Sequence, residues 1–165
     1  KTQPRSSFIL LITLKLAPHF FSANIIFLAH ILQSSYSKLK EISMEIEKRI
    51  LLIDPHDQDR ETLASILQEE NYKVETGKNF KEALEKLTNC CFHCLVMEVN
   101  LPEIKGYDAV PIIKSIDPNL KIIITTRKNS RQLEAKVRSQ EIFYYFIKSF
   151  GHDELKLAIR NAFSQ

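Results

Sequence analysis

HCLVMEVNLPEIKG, residues 93–106, starts as an apolar run of strand length and passes into a loop marked by Asn100, Pro102 and Gly106. An uninterrupted apolar run fits a strand buried on both faces, because alternation with polar residues is lost when neither face meets water. The one acid in that run, Glu98, stands where the strand is expected to stop.

Upstream, Phe80, Ala83, Leu84 and Leu87 recur at i, i+3, i+4 and i+7, the spacing of a helix with one apolar face. Before them lie YKVET (72–76), a short alternating strand, and a second helical pattern at Leu63, Ile66 and Leu67, with Asp57 expected as its N-cap. RILLID (49–54) is another continuous apolar strand. Downstream, Val110, Ile113 and Ile116 predict a helix, KIIITT (121–126) a strand, Leu133 and Val137 a helix, and IFYYFIK (142–148) a fifth strand. Leu155, Ala158, Ile159, Ala162 and Phe163 predict the last helix. Five strands alternating with five helices predict an α/β fold, a doubly wound parallel sheet covered on both faces with right-handed crossovers.

In such a sheet the functional crevice lies at the carboxyl ends of the strands. Asp54, Glu98, Thr126 and Lys148 end strands one, three, four and five. Strand ends are often polar simply because they meet solvent, but four such residues on one edge favour a site. Two carboxylates, a hydroxyl and an ammonium can together hold a divalent cation and a phosphoryl group.

Composition narrows the function classes. The formal charge of +3 belongs to residues 1–43, where Lys1, Arg5, Lys15, Lys38 and Lys40 face Glu41 alone. The remainder is near neutral, which argues against a nucleic-acid partner. Residues 8–32 are apolar and free of acids, as a membrane span would be, but Lys15, Pro18, His19, Asn24 and His30 interrupt them. A lipid-buried Lys and a mid-span Pro each cost about a few kcal/mol, so a membrane partner is not expected. The first Met is Met44. Lys40-Glu41 can be encoded by AAGGAG, a ribosome-binding sequence at short distance from Met44, so residues 1–43 are expected to be an untranslated or disordered extension and residues 44–165 the domain. Three glycines leave no phosphate-binding loop of the nucleotide or flavin type. NCCFHC (89–94) has a metal-like spacing, but three strand residues span about 10 Å, too far for Cys91 and Cys94 to share an ion unless the strand bends. Cys90, Cys91 and Cys94 are expected to be reduced core fillers.

ILLIDPHDQDR, CLVMEVNLPEIKG, LKIIITT and EIFYYFIKSF, in this order, resemble the receiver domain of two-component response regulators over about residues 48–163. The resemblance implies a (βα)5 flavodoxin-like fold with strand order 2-1-3-4-5 and a site that accepts a phosphoryl group from a histidine kinase. By position it makes Glu98 the acceptor, Thr126 and Lys148 the phosphoryl-binding pair, and Tyr145, with Thr126, the switch. Asp54, Glu98 and the Asn100 carbonyl would hold Mg2+. Three positions depart from the family pattern: Glu98 for the acceptor aspartate, Pro55 for the second acid, and Ser149 for the proline after the lysine.

These departures set the expected function. The extra methylene of Glu98 moves its carboxylate by about 1.5 Å, one C–C bond, and misplacing a reacting group by about 1 Å can cost a hundredfold in rate. Pro55 removes a hard oxygen ligand, so no cofactor is expected and Mg2+ binding should be weak or lost. Asp57 and Asp59 read as helix-start acids rather than replacement ligands. The favoured reading is a phosphorylation-independent, cytoplasmic receiver that acts by protein contact and is not an enzyme. The alternative is a phosphorylation-competent receiver with self-dephosphorylation; a flavodoxin-like ligand-binding domain is third. The expected partners are a histidine kinase or an effector, with a homodimer through residues 131–163 as a further candidate. The Lys148–Ser149 peptide isomer stays open at this point.

Overall fold

The computed structural model describes residues 31–35, a helical stretch, and residues 48–164. The chain divides into two units, Lys1–Ile46 and Glu47–Gln165. The translation start expected at Met44, and the apolar stretch 8–32 except its last two residues, lie outside the described residues. Among the described residues no helix is long and apolar enough to cross a membrane.

The second unit alternates strand and helix throughout: β1 (Arg49–Ile53), α1 (Asp57–Glu69), β2 (Lys73–Gly77), α2 (Phe80–Asn89), β3 (Cys94–Glu98), α3 (Gly106–Ile116), β4 (Lys121–Thr126), α4 (Arg131–Arg138), β5 (Tyr144–Ile147) and α5 (Asp153–Ala162). The five strands form one parallel sheet in the order β2-β1-β3-β4-β5, as expected. The three inner strands are sealed: every residue of β3 is buried, as are Ile50–Ile53 of β1 and Ile122–Thr126 of β4. This accounts for their unbroken apolar runs.

The pleat sends alternate residues to opposite faces. Leu51, Ile53, Leu95, Met97, Ile122 and Ile124 pack on one side with the apolar residues of α2, α3 and α4. Ile50, Leu52, Val96, Ile123 and Phe146 pack on the other with those of α1 and α5. This parity decides which strand-end side chains can meet.

Several local expectations are corrected. His56, not Asp57, occupies the N-cap of α1, and Asp57 is the first helical residue, paired with Arg60 and Lys78. Ile116 is exposed at the end of α3, where the apolar stripe has rotated past the sheet. Cys94 fills the core, whereas Cys91 is exposed, because β3 begins only at Cys94 and residues 91–93 lie outside it. β5 stops at Ile147, and Lys148 opens a short 3-10 turn, Lys148–Phe150. Ser149 permits that turn without a cis bond: no described peptide is cis, so Lys148–Ser149 is trans.

Gly106 fixes the loop after β3. Its amide donates to the Val99 carbonyl at 2.7 Å. A side chain there would meet the Glu98 carbonyl oxygen and Val99 Cα, each at 3.0 Å, so only a glycine fits against this strand end without displacement.

Candidate functional site

Asp54 follows Leu52 by two residues, Glu98 follows Val96 by two, and Lys148 follows Phe146 by two, so strand parity carries all three toward the α1/α5 face. There they meet. Lys148 Nζ donates to Asp54 Oδ2 at 2.5 Å, to Glu98 Oε2 at 2.6 Å and to Asp59 Oδ2 at 2.9 Å. The Asp54 and Glu98 side chains are 0% and 3% exposed and that of Lys148 8%, so the charges sit out of water and depend on one another.

The remaining acceptors are covered locally. Asp54 Oδ1 accepts from the His56 amide at 2.9 Å and lies 3.1 Å from His56 Nδ1. The Asp54 carbonyl accepts from Arg60 at 2.7 Å, which explains why that arginine is buried. Glu98 Oε1 accepts from the Asn100 amide at 3.2 Å. Burial, the largest single influence on Lys148, pulls its pKa down, but the negative charge of Glu98 and the hydrogen bonds to Asp54, Glu98 and Asp59 outweigh it. The ammonium is held above the usual lysine range.

Asp59 joins the cluster, although its place in the sequence marks it only as a helix-start acid. It lies in the first turn of α1, and besides Lys148 it takes Arg127, whose Nε donates to Oδ2 at 2.6 Å and whose second guanidinium nitrogen reaches Oδ1. This guanidinium is the main reason that the Asp59 carboxyl is lowered to about 2, with Lys148 adding to it against the opposing effect of burial. A helix-start acid following the first strand, together with a cation directly after Thr126, was the signal available in the sequence.

Thr126 does not join the cluster. It is two residues beyond Ile124, on the α2/α3/α4 side, and its hydroxyl donates to the Lys128 carbonyl at 2.9 Å. Tyr145 shares that side and is buried, its hydroxyl donating to Asn129 Oδ1 at 2.9 Å. Asn100 is exposed and forms an isolated bridge with Lys105, whose ammonium donates to Asn100 Oδ1 at 2.9 Å. Pro55 is half-buried beside Asp54, and Ser149 lines a cavity of about 350 Å³ with Asp59, Thr62, Leu63, Arg127, Lys148 and His152. Thr125, the register partner of Glu98, has a buried hydroxyl with no hydrogen-bond partner.

The residues present fit Mg2+ poorly. That ion asks for near-octahedral oxygen ligation at about 2.1 Å. Here one oxygen from each of the three acids converges on an ammonium, Pro55 has no side-chain ligand to offer, and Asp54 Oδ1 faces the amide and imidazole nitrogens of His56.

Comparison with known proteins bears on the domain as a whole. The profile of the response regulator receiver domain matches residues 50–160. The chain is 29% identical over 104 residues to the chemotaxis protein CheY of Thermotoga maritima, covering 62% of this chain and 87% of that protein. It is 28% identical to the transcriptional regulatory protein LnrK of Bacillus subtilis, covering 70% of this chain but only 54% of that longer protein. Among solved structures it is similar to the beryllofluoride-activated NtrC4 receiver domain dimer, with a TM-score of 0.67, 28% identity, and coverage of 71% of this chain and 97% of that one. It is also similar to the response regulator TrrA of Thermotoga maritima in complex with Mg2+ and BeF, with a TM-score of 0.63, 30% identity, and coverage of 70% and 98%.

Proposed function

The chain belongs to the response regulator receiver family of two-component phosphorelay signalling, and on that premise we propose that it signals by protein contact with its acceptor position held in one state, without phosphoryl transfer. The observation that carries this reading is the shared ammonium: Lys148 is bonded at once to Glu98, Asp54 and Asp59. A lysine that would stabilise an incoming phosphoryl group is already saturated by internal carboxylates. Glu98 places its charge about one C–C bond, 1.5 Å, farther out than an aspartate would, nearer to where the phosphoryl oxygens would lie. The Thr126 hydroxyl, which would bind such an oxygen, is turned to the Lys128 backbone.

No Mg2+ cofactor is part of this reading, because Pro55 and the Lys148 contacts leave that ion without an adequate oxygen set. No enzymatic turnover is part of it either. The partners are a histidine kinase or an effector of the same cytoplasmic system, met through the exposed parts of the domain. The α4, β5 and α5 region, residues 131–163, is the candidate self-association surface, and the NtrC4 receiver structure that the chain resembles is a dimer.

The competing reading, a receiver that still accepts a phosphoryl group, is favoured by one observation. Glu98 Oε1 accepts one hydrogen bond, from the Asn100 amide at 3.2 Å, and a carboxylate oxygen has room for a second. The experiment that separates the two is titration of the chain with beryllofluoride and Mg2+, followed by the amide NMR signals of Thr126, Tyr145 and Lys148. These signals are expected to stay in place; saturable shifts at concentrations that titrate an ordinary receiver would overturn the proposal.

A further inference from the structure

We propose that Arg127 is an autoinhibitory strap: reaching from the loop after β4 to Asp59 on α1, it closes the crevice over Lys148 and pins that loop in place. Exposure rises outward through the cluster. The Asp54, Glu98 and Lys148 side chains are nearly sealed, Asp59 is 16% exposed and Arg127 53%, so Asp59 and Arg127 form the outer layer over the inner ammonium. Arg127 Nε donates to Asp59 Oδ2 at 2.6 Å and its second guanidinium nitrogen takes Oδ1, a two-point grip that a lysine could not make. Lys148 Nζ donates to the same Oδ2 at 2.9 Å. Two cations thus share one oxygen, and each repels the other once Asp59 is neutralised or withdrawn, so the strap opens rather than slackens.

The loop that Arg127 ties down is short, and its other residues are held from the opposite side. The Lys128 amide donates to the Thr126 hydroxyl at 3.2 Å, and the Lys128 carbonyl accepts from that hydroxyl at 2.9 Å. Asn129 accepts from the buried Tyr145, and Ser130 caps α4 by accepting from the Leu133 amide at 3.1 Å. These ties stay on the α4 side of the sheet, whereas Arg127 crosses to α1. An incoming anion therefore meets Arg127 first, and reaches Lys148 only by taking the guanidinium off Asp59. The cavity of about 350 Å³ that Arg127 and Asp59 line with Ser149 and His152 gives the released side chain room to swing. The strap rests on the held state of Glu98 and Lys148 proposed above, but it shows itself without any phosphoryl donor, so the two readings fail separately.

Hydrogen exchange of the full chain, followed by NMR at the Lys128 and Asn129 amides and at the Lys148 ammonium, tests the strap. Arg127→Gln is expected to speed exchange at all three about tenfold, the size of effect that a charge-assisted pair supplies, with the β3 amides of Leu95–Met97 unchanged. Asp59→Asn is expected to do the same to the two loop amides, and the double variant to add little to either single change, as for two residues acting through one contact. Additive effects, or unchanged exchange in Arg127→Gln, would overturn the proposal. So would acceleration that spreads equally to β3, because it would mark a general loss of stability and not the opening of one contact.

Discussion

Lys148 Nζ stands 2.6 Å from Glu98 Oε2, and this contact joins the last residue of β3 to the residue that follows β5, two strands that are not neighbours in the sheet. The same ammonium holds Asp54 and Asp59, and Arg127 adds a second cation on Asp59. Lys148→Ala leaves buried carboxylates without their partner, a class of change that costs about 3–5 kcal/mol. A drop of that size in urea-unfolding stability is expected, with Glu98→Gln milder because one acid of the cluster is then neutral.

Asp59 gives the acid limb of the stability profile. Its folded-state pKa is lowered to about 2 from the ordinary 3.8 by Arg127 and Lys148. The stabilisation is therefore fully present above about pH 4 and is lost as pH falls toward 2. The shift corresponds to about 2 kcal/mol. Chemical denaturation from pH 5 to pH 2 is expected to show a shallower decline in Asp59→Asn than in the parent chain.

Gly106→Ala is a test of the loop that supports Glu98. The added methyl meets backbone atoms of Glu98 and Val99 at 3.0 Å, and backbone cannot move aside as a flexible side chain can. A loss of about 1–3 kcal/mol is expected from this overpacking, measured as a fall in the thermal midpoint.

The cysteines should separate by reactivity. Cys91 is exposed, Cys90 half-buried and Cys94 sealed in the core, where burial pushes its thiol up to about 12. Since the thiolate is the reactive form, iodoacetamide is expected to modify Cys91 first and Cys94 only on unfolding, as followed by peptide mass spectrometry.

The fold was legible because its signal is repeated. Each strand is an apolar run, each helix a spaced apolar stripe, and the order of the two leaves one architecture. Asp54, Glu98 and Lys148 were legible for the same reason, since the carboxyl end of a strand belongs to the crevice edge. Asp59 and Arg127 were not, because a helix-start acid is adequately explained by the helix dipole and a cation in a loop by solvent. Only the three-dimensional approach of α1 to the β4 end joins them. Thr126 was assigned to the cluster by its position in the sequence, but strand parity turns it to the other side. Parity becomes decisive only when the packing of both faces is known.

The double change Glu98→Asp with Pro55→Asp tests whether the departures act together. It shortens the acceptor by one methylene and restores a carboxylate beside Asp54. The variant is expected to gain a phosphoryl adduct from acetyl phosphate in the presence of Mg2+, whereas Glu98→Asp alone gains less. Intact mass spectrometry distinguishes the two.

In the proposed state the acceptor position is occupied by charge and not by chemistry. The most direct measurement of this is the intact mass of the unsubstituted chain after incubation with acetyl phosphate and Mg2+, with the double variant as the positive control. No added phosphoryl mass is expected on the chain under conditions that label the variant. A phosphoryl adduct mapped to Glu98 would contradict it.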